Sequence, residues 1–309
     1  MAGFTAEEAP VISVVIPTFN RAPFLKDMLA SVFAQVGAPP YEVLLVDDAS
    51  TDDTPAVVAA SGLPVTLVRL ECNGGVARAR QTGADRARGR FLAFHDSDDL
   101  MLPDRLGALA RHLAANADAG AVFSNGVVEP DGGEPAGQVV PAELAERLDG
   151  RRIGIRDVLR DGLPMYLQTA LIRREAFDRA GGIDTTLRRH ADLELACRLV
   201  LTARVDFLDR PAFRYRLHGA NQTRNRLLLR EGLVEVMRRL RATHPECVQL
   251  CGAEWYRQRE VKHLRRIALQ HFRRGRLWQS GSALAHALAL GWSMKDAPRA
   301  GVGVPSESS

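Results

Sequence analysis

Three carboxylates stand close together at Asp96, Asp98 and Asp99, directly behind the apolar run Phe91, Leu92, Ala93, Phe94 and a single His95. Like charges this near repel one another, so a fold that gathers them needs an offsetting charge. A hard divalent cation, Mg2+ or Mn2+, supplies it through oxygen ligands. A cation held by few carboxylates keeps positions open for a second ligand such as a diphosphate. Taken alone, the same residues also fit a solvated acidic turn. Other groups able to do chemistry follow the same plan: Asp47 and Asp48 close the apolar run 41–46, Asp192 opens an amphipathic stretch, and His218 lies in a basic segment.

The elements that must position these groups alternate. Residues 11–16 form a β-branched apolar run, stopped by Pro17, Thr18, Phe19 and Asn20. A helical pattern over 23–35 places Phe24, Leu25, Met28, Leu29 and Val32 on one side. Strands are predicted over 41–46, 63–70, 91–94 and 119–128, with helices over 74–89 and 103–117. Ser50 and Asp53 have the spacing of a capping box for the helix between the second and third strands. Strands apolar on both faces imply a mostly parallel sheet covered on both sides. Ligands of such sheets bind beyond the strand C-termini, where Thr18, Asp47, Asp48, Asp96 and Asp98 all fall. The first strand is followed by neither a dinucleotide-binding glycine pattern nor a Walker sequence.

The second half is less regular. Residues 130–137 read as a polar turn, 142–159 as a basic helical stretch, and 213–223 as a basic loop. Helices are expected from 227 to 289, joined near Pro245 and Gly275, with Trp255, Tyr256, Trp278 and Trp292 packing the core by default, and covering the acceptor groove or forming a dimer contact as alternatives. The four cysteines, Cys72, Cys197, Cys247 and Cys251, are too scattered for a disulfide scaffold or a zinc site, which fits a reducing cytoplasm. The start of the chain does not resemble a signal peptide, and no uncharged apolar stretch reaches bilayer length. Net charge is +4, with arginines concentrated between 257 and 276. A solvated helix face is the first explanation, and contact with an anionic partner or the cytoplasmic membrane surface the second. No nucleic-acid reading module accompanies the charge, so no nucleic-acid partner is expected. The apolar stretch 282–292 could serve core, homodimer contact or membrane surface.

The blocks at 11–20, 41–54, 73–83 and 91–106 together resemble, in order and spacing, the family 2 glycosyltransferases of the GT-A fold, and the likeness continues to about Thr223. That resemblance implies an α/β nucleotide-diphospho-sugar transferase fold with a mostly parallel central sheet flanked by helices. It implies a nucleotide-sugar-binding half (1–128) and an acceptor-binding and catalytic half (129–226); beyond the likeness, the helical pattern reads as a C-terminal extension with a flexible tail (227–309). By the same resemblance Asp48 accepts from the ring N–H of uracil or another base, Thr18 sits near base or ribose, and Arg80 lies against the nucleotide. The family usually has Asn where this chain has Gln81. Asp98 becomes the main metal contact of a D-x-D element, with Asp96 and Ser97 on the donor side and Asp99 supporting the loop. Gln168 contacts sugar or acceptor, and His218 touches the diphosphate or the metal. Arg216 or Arg214 offsets leaving-group charge. Asp192 matches the general base, although Ala191 replaces the first acid of the family's acidic pair; Glu194 is its backup and His190 a wall residue. Ordinary helix capping is the competing explanation for Asp192.

The implied reaction is a single displacement at the anomeric carbon, aided by Mg2+ or Mn2+, with Asp192 taking the acceptor proton and the configuration inverting to β. The donor is a UDP-sugar foremost, with dTDP- and GDP-sugars as alternatives. The acceptor is a saccharide, a natural product or a carrier-linked envelope glycan. Rival readings are a sugar-1-phosphate nucleotidyltransferase, a non-catalytic sugar-nucleotide-binding protein, and a basic helical interaction module fused to an inert α/β domain. The first would carry a glycine- and basic-rich loop after its first strand, which residues 17–20 are not.

Overall fold

The computed structural model describes residues 9–130, 133–219 and 225–291, and the chain divides into two compact units, Met1–Arg224 and Asn225–Ser309. The first unit begins β1 (Ile12–Thr18), α1 (Ala22–Phe33), β2 (Tyr41–Asp47), α2 (Thr54–Ala60), β3 (Val65–Arg69), α3 (Val76–Arg86) and β4 (Phe91–Phe94). It continues with β5 (Leu100–Met101), α4 (Arg105–Ala115), β6 (Ala119–Pro130), β7 (Gly137–Gln138), α5 (Ala142–Leu148), β8 (Arg151–Ile153) and α6 (Ile155–Leu159). A 3-10 turn (Leu167–Thr169) leads into β9 (Ala170–Arg173), followed by α7 (Arg174–Arg179), α8 (Ala191–Thr202) and β10 (Arg204–Leu217).

These strands form one mixed sheet in the order β3-β2-β1-β4-β9-β6-β10-β5, with β7 on β6 and β8 on β10. The pairs β1–β2, β2–β3, β1–β4 and β6–β10 are parallel, and β9 runs antiparallel between β4 and β6. The parallel register sets Thr18 opposite Asp47 and Val15 opposite Phe94. The C-termini of β1, β2 and β4 therefore open on one edge. Every residue of β1 and β4 is buried, because α1 and α4 bring Leu25, Met28, Leu29, Leu106 and Leu109 into one core with the sheet. On α3, Gly83 lets the helix backbone lie directly on the sheet: a Cβ there would stand 2.3 Å from Val15 Cγ1. That close approach sets the height of Arg80, three residues earlier on the same helix face.

Three expectations are corrected. The stretch 142–159 is not one helix: Gly150, at φ +67°, ends α5, and β8 then pairs antiparallel with β10. The basic segment from Phe213 to Leu217 is the end of a 14-residue strand, not a loop; of the remainder, residues 220–223 lie outside the described residues. No capping box forms at α2. Ser50 Oγ instead accepts from Asn20 N at 2.9 Å, and Asp52 Oδ1 accepts from Thr54 N at 3.0 Å. The first of these bonds laces the loop after β1 to the loop after β2.

Among the described residues, three that are not glycine adopt positive φ: Asn20 (51°), Ala49 (62°) and His190 (57°). They follow β1, follow β2 and precede α8. Asparagine and histidine tolerate this region better than alanine does. The left-handed penalty of about 1–2 kcal/mol exceeds the entropic cost of glycine. Ala49→Gly is therefore expected to stabilise the protein by about 0.5–1 kcal/mol, read as a higher midpoint in urea denaturation.

The second unit is helical: α9 (Arg226–Thr243), α10 (Glu246–Cys251), α11 (Ala253–Arg273) and α12 (Leu277–Ala289). Leu227, Val234, Leu264, Ile267, Ala283 and Ala287 form its apolar centre. Buried Glu260 receives Arg238 and Arg241, each at 2.7 Å, and the Tyr256 hydroxyl donates to Met237 O at 2.7 Å. Tyr256 is core, as expected. Trp278 is not: it is 84% exposed, because α12 turns the small residues Ala283 and Ala287 inward. Trp292 lies outside the described residues. Burial, reinforced by Arg259, Arg266, Arg230 and Lys262, pulls the His263 imidazole down to about 4. A depressed folded-state pKa means that the unfolded chain takes up the proton first as pH falls. Stability is thus complete above about pH 6.5 and lost towards pH 4, by on the order of 2 kcal/mol. Melts of wild type and His263→Leu over this range are expected to diverge in slope, with the variant flatter.

Candidate active site

β4 stops at Phe94, and His95 N still donates to Val15 O at 3.0 Å, so the acidic loop starts from a fixed point. Behind it sits a fully buried guanidinium. Arg105 donates to Phe94 O at 2.8 Å and Ala170 O at 3.2 Å, tying the end of β4 to the start of β9. Burial lowers its pKa to about 9, against the opposing pull of Asp96. Burial, and then the Arg105 charge, push the His95 imidazole well below its ordinary value. Arg105→Met is expected to strand two buried carbonyls and cost about 2–4 kcal/mol of stability, measured as a loss of urea midpoint.

The carboxylates of the loop are offset individually. Asp98 Oδ2 lies 3.1 Å from Arg21 Nε and 3.3 Å from His218 Nε2. The Asp96 carboxylate accepts from Arg80 Nη2 at 2.5 Å. Arg216 binds the loop by its backbone, its N–H donating to Asp99 Oδ1 at 2.8 Å, and its Nε donates to Asp98 O at 2.6 Å. Phe24 carries both basic groups: its ring centroid is 4.5 Å from that of His218 and 5.3 Å from Arg216 Cζ. Asp99 is pushed well above the usual carboxylate range by burial and by Asp96 and Asp98, with the Arg216 N–H and Gln168 opposing. It supports the loop from a buried position, with Ser97 also buried.

At the ends of β1 and β2, Asp48 N donates to Thr18 O at 2.9 Å, while its carboxylate accepts from Gly74 N at 2.8 Å and Gly75 N at 2.7 Å. Asp48 thereby fixes the loop that opens α3. Asp47 accepts from Ser50 N at 2.9 Å. Buried polar atoms without a protein hydrogen-bond partner include Thr18 Oγ1, Arg80 Nε and Gln168 Oε1. Buried polar atoms are seldom left so, and a polar ligand would complete them.

Asp192 stands in the first turn of α8, half-buried, its Oδ1 accepting from Leu193 N at 2.9 Å. The helix N-cap is His190, and Asp192 lies two positions on, where a carboxylate also favours the helix N-terminus. Burial works against the Arg80 charge, but the carboxylates of Asp96, Asp192 and Asp98 outweigh it and raise its pKa further. One guanidinium thus feels the acidic loop and the start of α8 together. Tyr166 feels Asp192 as well: burial first, then Asp192 and Tyr215, lift its phenol to about 12. Its ring stacks on that of Tyr215 with centroids 6.5 Å apart.

Glu194 does not join the group. Its carboxylate is taken by Arg198 at 2.6 and 2.7 Å, and Arg198 Nη2 donates on to Gly182 O at 2.7 Å. Arg214 turns towards Glu129 at 3.3 Å, leaving Arg216 as the arginine of β10 at the loop. Gln81 is structural, accepting from Ile183 N at 2.7 Å. Arg21, Phe24, Arg105, Tyr166 and Tyr215 were not legible as site residues. Arg21 merely follows Asn20 in the chain, and nothing in the spacing ties it to Asp98, 77 positions on.

No group of three or more His, Cys, Asp or Glu converges among the described residues. The pair Asp98 and His218 offers one carboxylate and one ring nitrogen facing each other. This donor set suits a divalent ion whose other positions belong to a diphosphate and water.

The strand order and the cleft at the β1, β2 and β4 ends define a GT-A fold. Residues 13–181, more than half of the chain, match the domain described as glycosyl transferase family 2, and the chain belongs to that family. The succinoglycan biosynthesis protein ExoO of Rhizobium meliloti (strain 1021) is 39% identical over 127 residues, 41% of this chain and 36% of that protein. The GalNAc(5)-diNAcBac-PP-undecaprenol beta-1,3-glucosyltransferase of Campylobacter jejuni is 32% identical over 127 residues, 40% of each chain. The chain thus spans well under two thirds of either relative. Among solved structures, S. aureus TarS 1-349 in complex with UDP-GlcNAc aligns with a TM-score of 0.66 at 18% identity, covering 90% of this chain and 81% of that one. The mannosyltransferase PcManGT from Pyrobaculum calidifontis, in complex with GDP-Man and Mn2+, aligns with a TM-score of 0.64 at 21% identity, covering 94% and 78%. At these identities the likeness is one of fold. No described helix is long and apolar enough to cross a membrane.

Proposed function

We propose that the chain is a metal-dependent inverting glycosyltransferase, moving a sugar from a nucleotide-diphosphate donor, a UDP-sugar foremost, to an acceptor hydroxyl. The observation that carries this reading is the acidic loop after β4, where the buried Arg80 bonds Asp96 at 2.5 Å and Asp98 faces His218 at 3.3 Å. Asp98 and His218 would hold Mg2+ or Mn2+, which when bound offsets the negative charge growing on the departing diphosphate. Arg21, now at Asp98, and Arg216 supply further positive charge at the same end. Thr18 and Arg80 border the nucleotide, and Asp48 meets the base with the lone pairs left beyond Gly74 and Gly75. Gln168 offers its unpartnered carbonyl oxygen to sugar or acceptor.

Asp192 takes the acceptor proton. Unlike Asp96 and Asp98, it has no guanidinium within ion-pair distance among the described residues, which leaves a carboxylate oxygen for the acceptor hydroxyl. Tyr166 and Tyr215 provide an aromatic wall against which the apolar face of a sugar can lie. Attack from the Asp192 side, opposite the diphosphate, yields a β-linkage from an α-linked donor. The relatives named for succinoglycan biosynthesis and for an undecaprenol-linked acceptor favour a carrier-linked saccharide as acceptor.

The test is a donor panel of UDP-, dTDP- and GDP-sugars with Mn2+, read as nucleotide diphosphate release with and without cell extract as acceptor source. Metal-dependent release stimulated by extract is expected. Consumption of nucleoside triphosphate with a sugar phosphate would identify a nucleotidyltransferase instead, and donor binding without turnover a non-catalytic protein.

A further inference from the structure

In the helical unit four arginines spend their charge on glutamates: Arg238 and Arg241 on Glu260, Arg239 on Glu235, Arg257 on Glu254. The turn between α11 and α12 differs from these pairs. Every residue from 272 to 279 is exposed. Among the described residues, Arg273, Arg274 and Arg276 have no ion-pair partner within 4.0 Å. The same turn presents large apolar side chains to solvent: Phe272 is 62% exposed, Leu277 66% and Trp278 84%. Three unpaired guanidiniums and three exposed apolar groups thus occupy one helical hairpin tip.

Each component alone has an ordinary explanation. Together they match one environment. Trp is favoured at the boundary between hydrocarbon and headgroups, Phe and Leu enter the acyl layer, and guanidiniums bind lipid phosphates. We propose that the α11–α12 tip docks on an anionic lipid bilayer, with Phe272, Leu277 and Trp278 inserted and the three arginines on the headgroups. A second copy of this chain fits less well, since a twofold contact at the tip would bring six unneutralised guanidiniums together. A single-stranded nucleic acid would use Trp278 and the arginines but has no use for Leu277. The proposal does not rest on the glycosyltransferase reading, because it concerns only the helical unit.

The test is flotation of the full chain with vesicles of phosphatidylcholine, with and without phosphatidylglycerol. Binding to the anionic vesicles alone is expected, weakening as salt rises. The triple change Arg273→Gln, Arg274→Gln, Arg276→Gln is expected to lower that binding roughly 100-fold. The pair Phe272→Ser and Trp278→Ser is expected to lower it at least about tenfold. All five positions are exposed, so the melting transition should stay in place. Failure of the wild type to float with anionic vesicles would overturn the proposal. So would equal binding to neutral vesicles, unchanged lipid binding in both variants, or loss in the variants of a dimer rather than of lipid binding.

Discussion

Asp192→Asn is expected to lower sugar transfer by about a hundred- to ten-thousand-fold while leaving donor affinity within about twofold. The substitution keeps size and the hydrogen bond from Leu193 N but removes the basic oxygen. Arg80 loses one of three neighbouring charges and keeps its direct bond to Asp96, so the donor side of the cleft persists. Separate measurement of donor binding by calorimetry and of turnover by diphosphate release distinguishes a base from a structural residue, whose loss would weaken both. Glu194→Gln is the control. Its carboxylate is already committed to Arg198, so this change is expected to cost stability through the 182–198 connection and not to mimic Asp192→Asn.

The second large effect is expected at Asp98. Asp98→Ala should abolish metal-stimulated turnover, by about a thousandfold or more given the several kcal/mol a bound cation contributes to leaving-group stabilisation. It also removes the shared partner of Arg21 and His218. Manganese titration in the presence of nucleoside diphosphate, followed by electron paramagnetic resonance, should show weakened metal binding in the variant. Undiminished Mn2+-dependent activity in Asp98→Ala would remove the metal from this loop. Retained Mn2+ affinity with lost turnover would instead assign the residue to positioning Arg21 and His218.

Much of this architecture was readable because its signal is local. The buried strands announce themselves as apolar runs, and the runs ending at Asp47 and Phe94 finish at the cleft. The acids at 48, 96 and 98 could be picked out because they follow apolar runs, whereas Asp192 was singled out through the family resemblance. What escaped depends on contacts across the fold. Arg21 and Arg105 look like ordinary surface arginines in sequence, yet one meets Asp98 and the other is buried behind it. Tyr166 and Tyr215 meet only because β10 returns beside β6 and carries its end to the turn before β9. β10 is the exception: Phe213, Arg214, Tyr215, Arg216 and Leu217 alternate apolar and basic, the period of a half-buried strand, and their charge made the segment read as a loop. The resemblance located Asp98 and His218 but not the rival cation, Arg21, that holds Asp98 here. For Glu194 the sequence offered a plausible acid, and only the i,i+4 pairing with Arg198 shows it to be committed elsewhere.

The roles proposed for Asp98 and Asp192 carry a stereochemical expectation that does not require the acceptor to be known. Slow hydrolysis of an α-linked nucleotide sugar can be followed by proton NMR, with water standing in for the acceptor. If a cation at Asp98 draws the diphosphate to one side and Asp192 activates the attacking oxygen from the other, the first free sugar to appear is the β-anomer, before mutarotation. An α-anomer formed first would mean retention, and the two carboxylates could not hold the roles assigned to them.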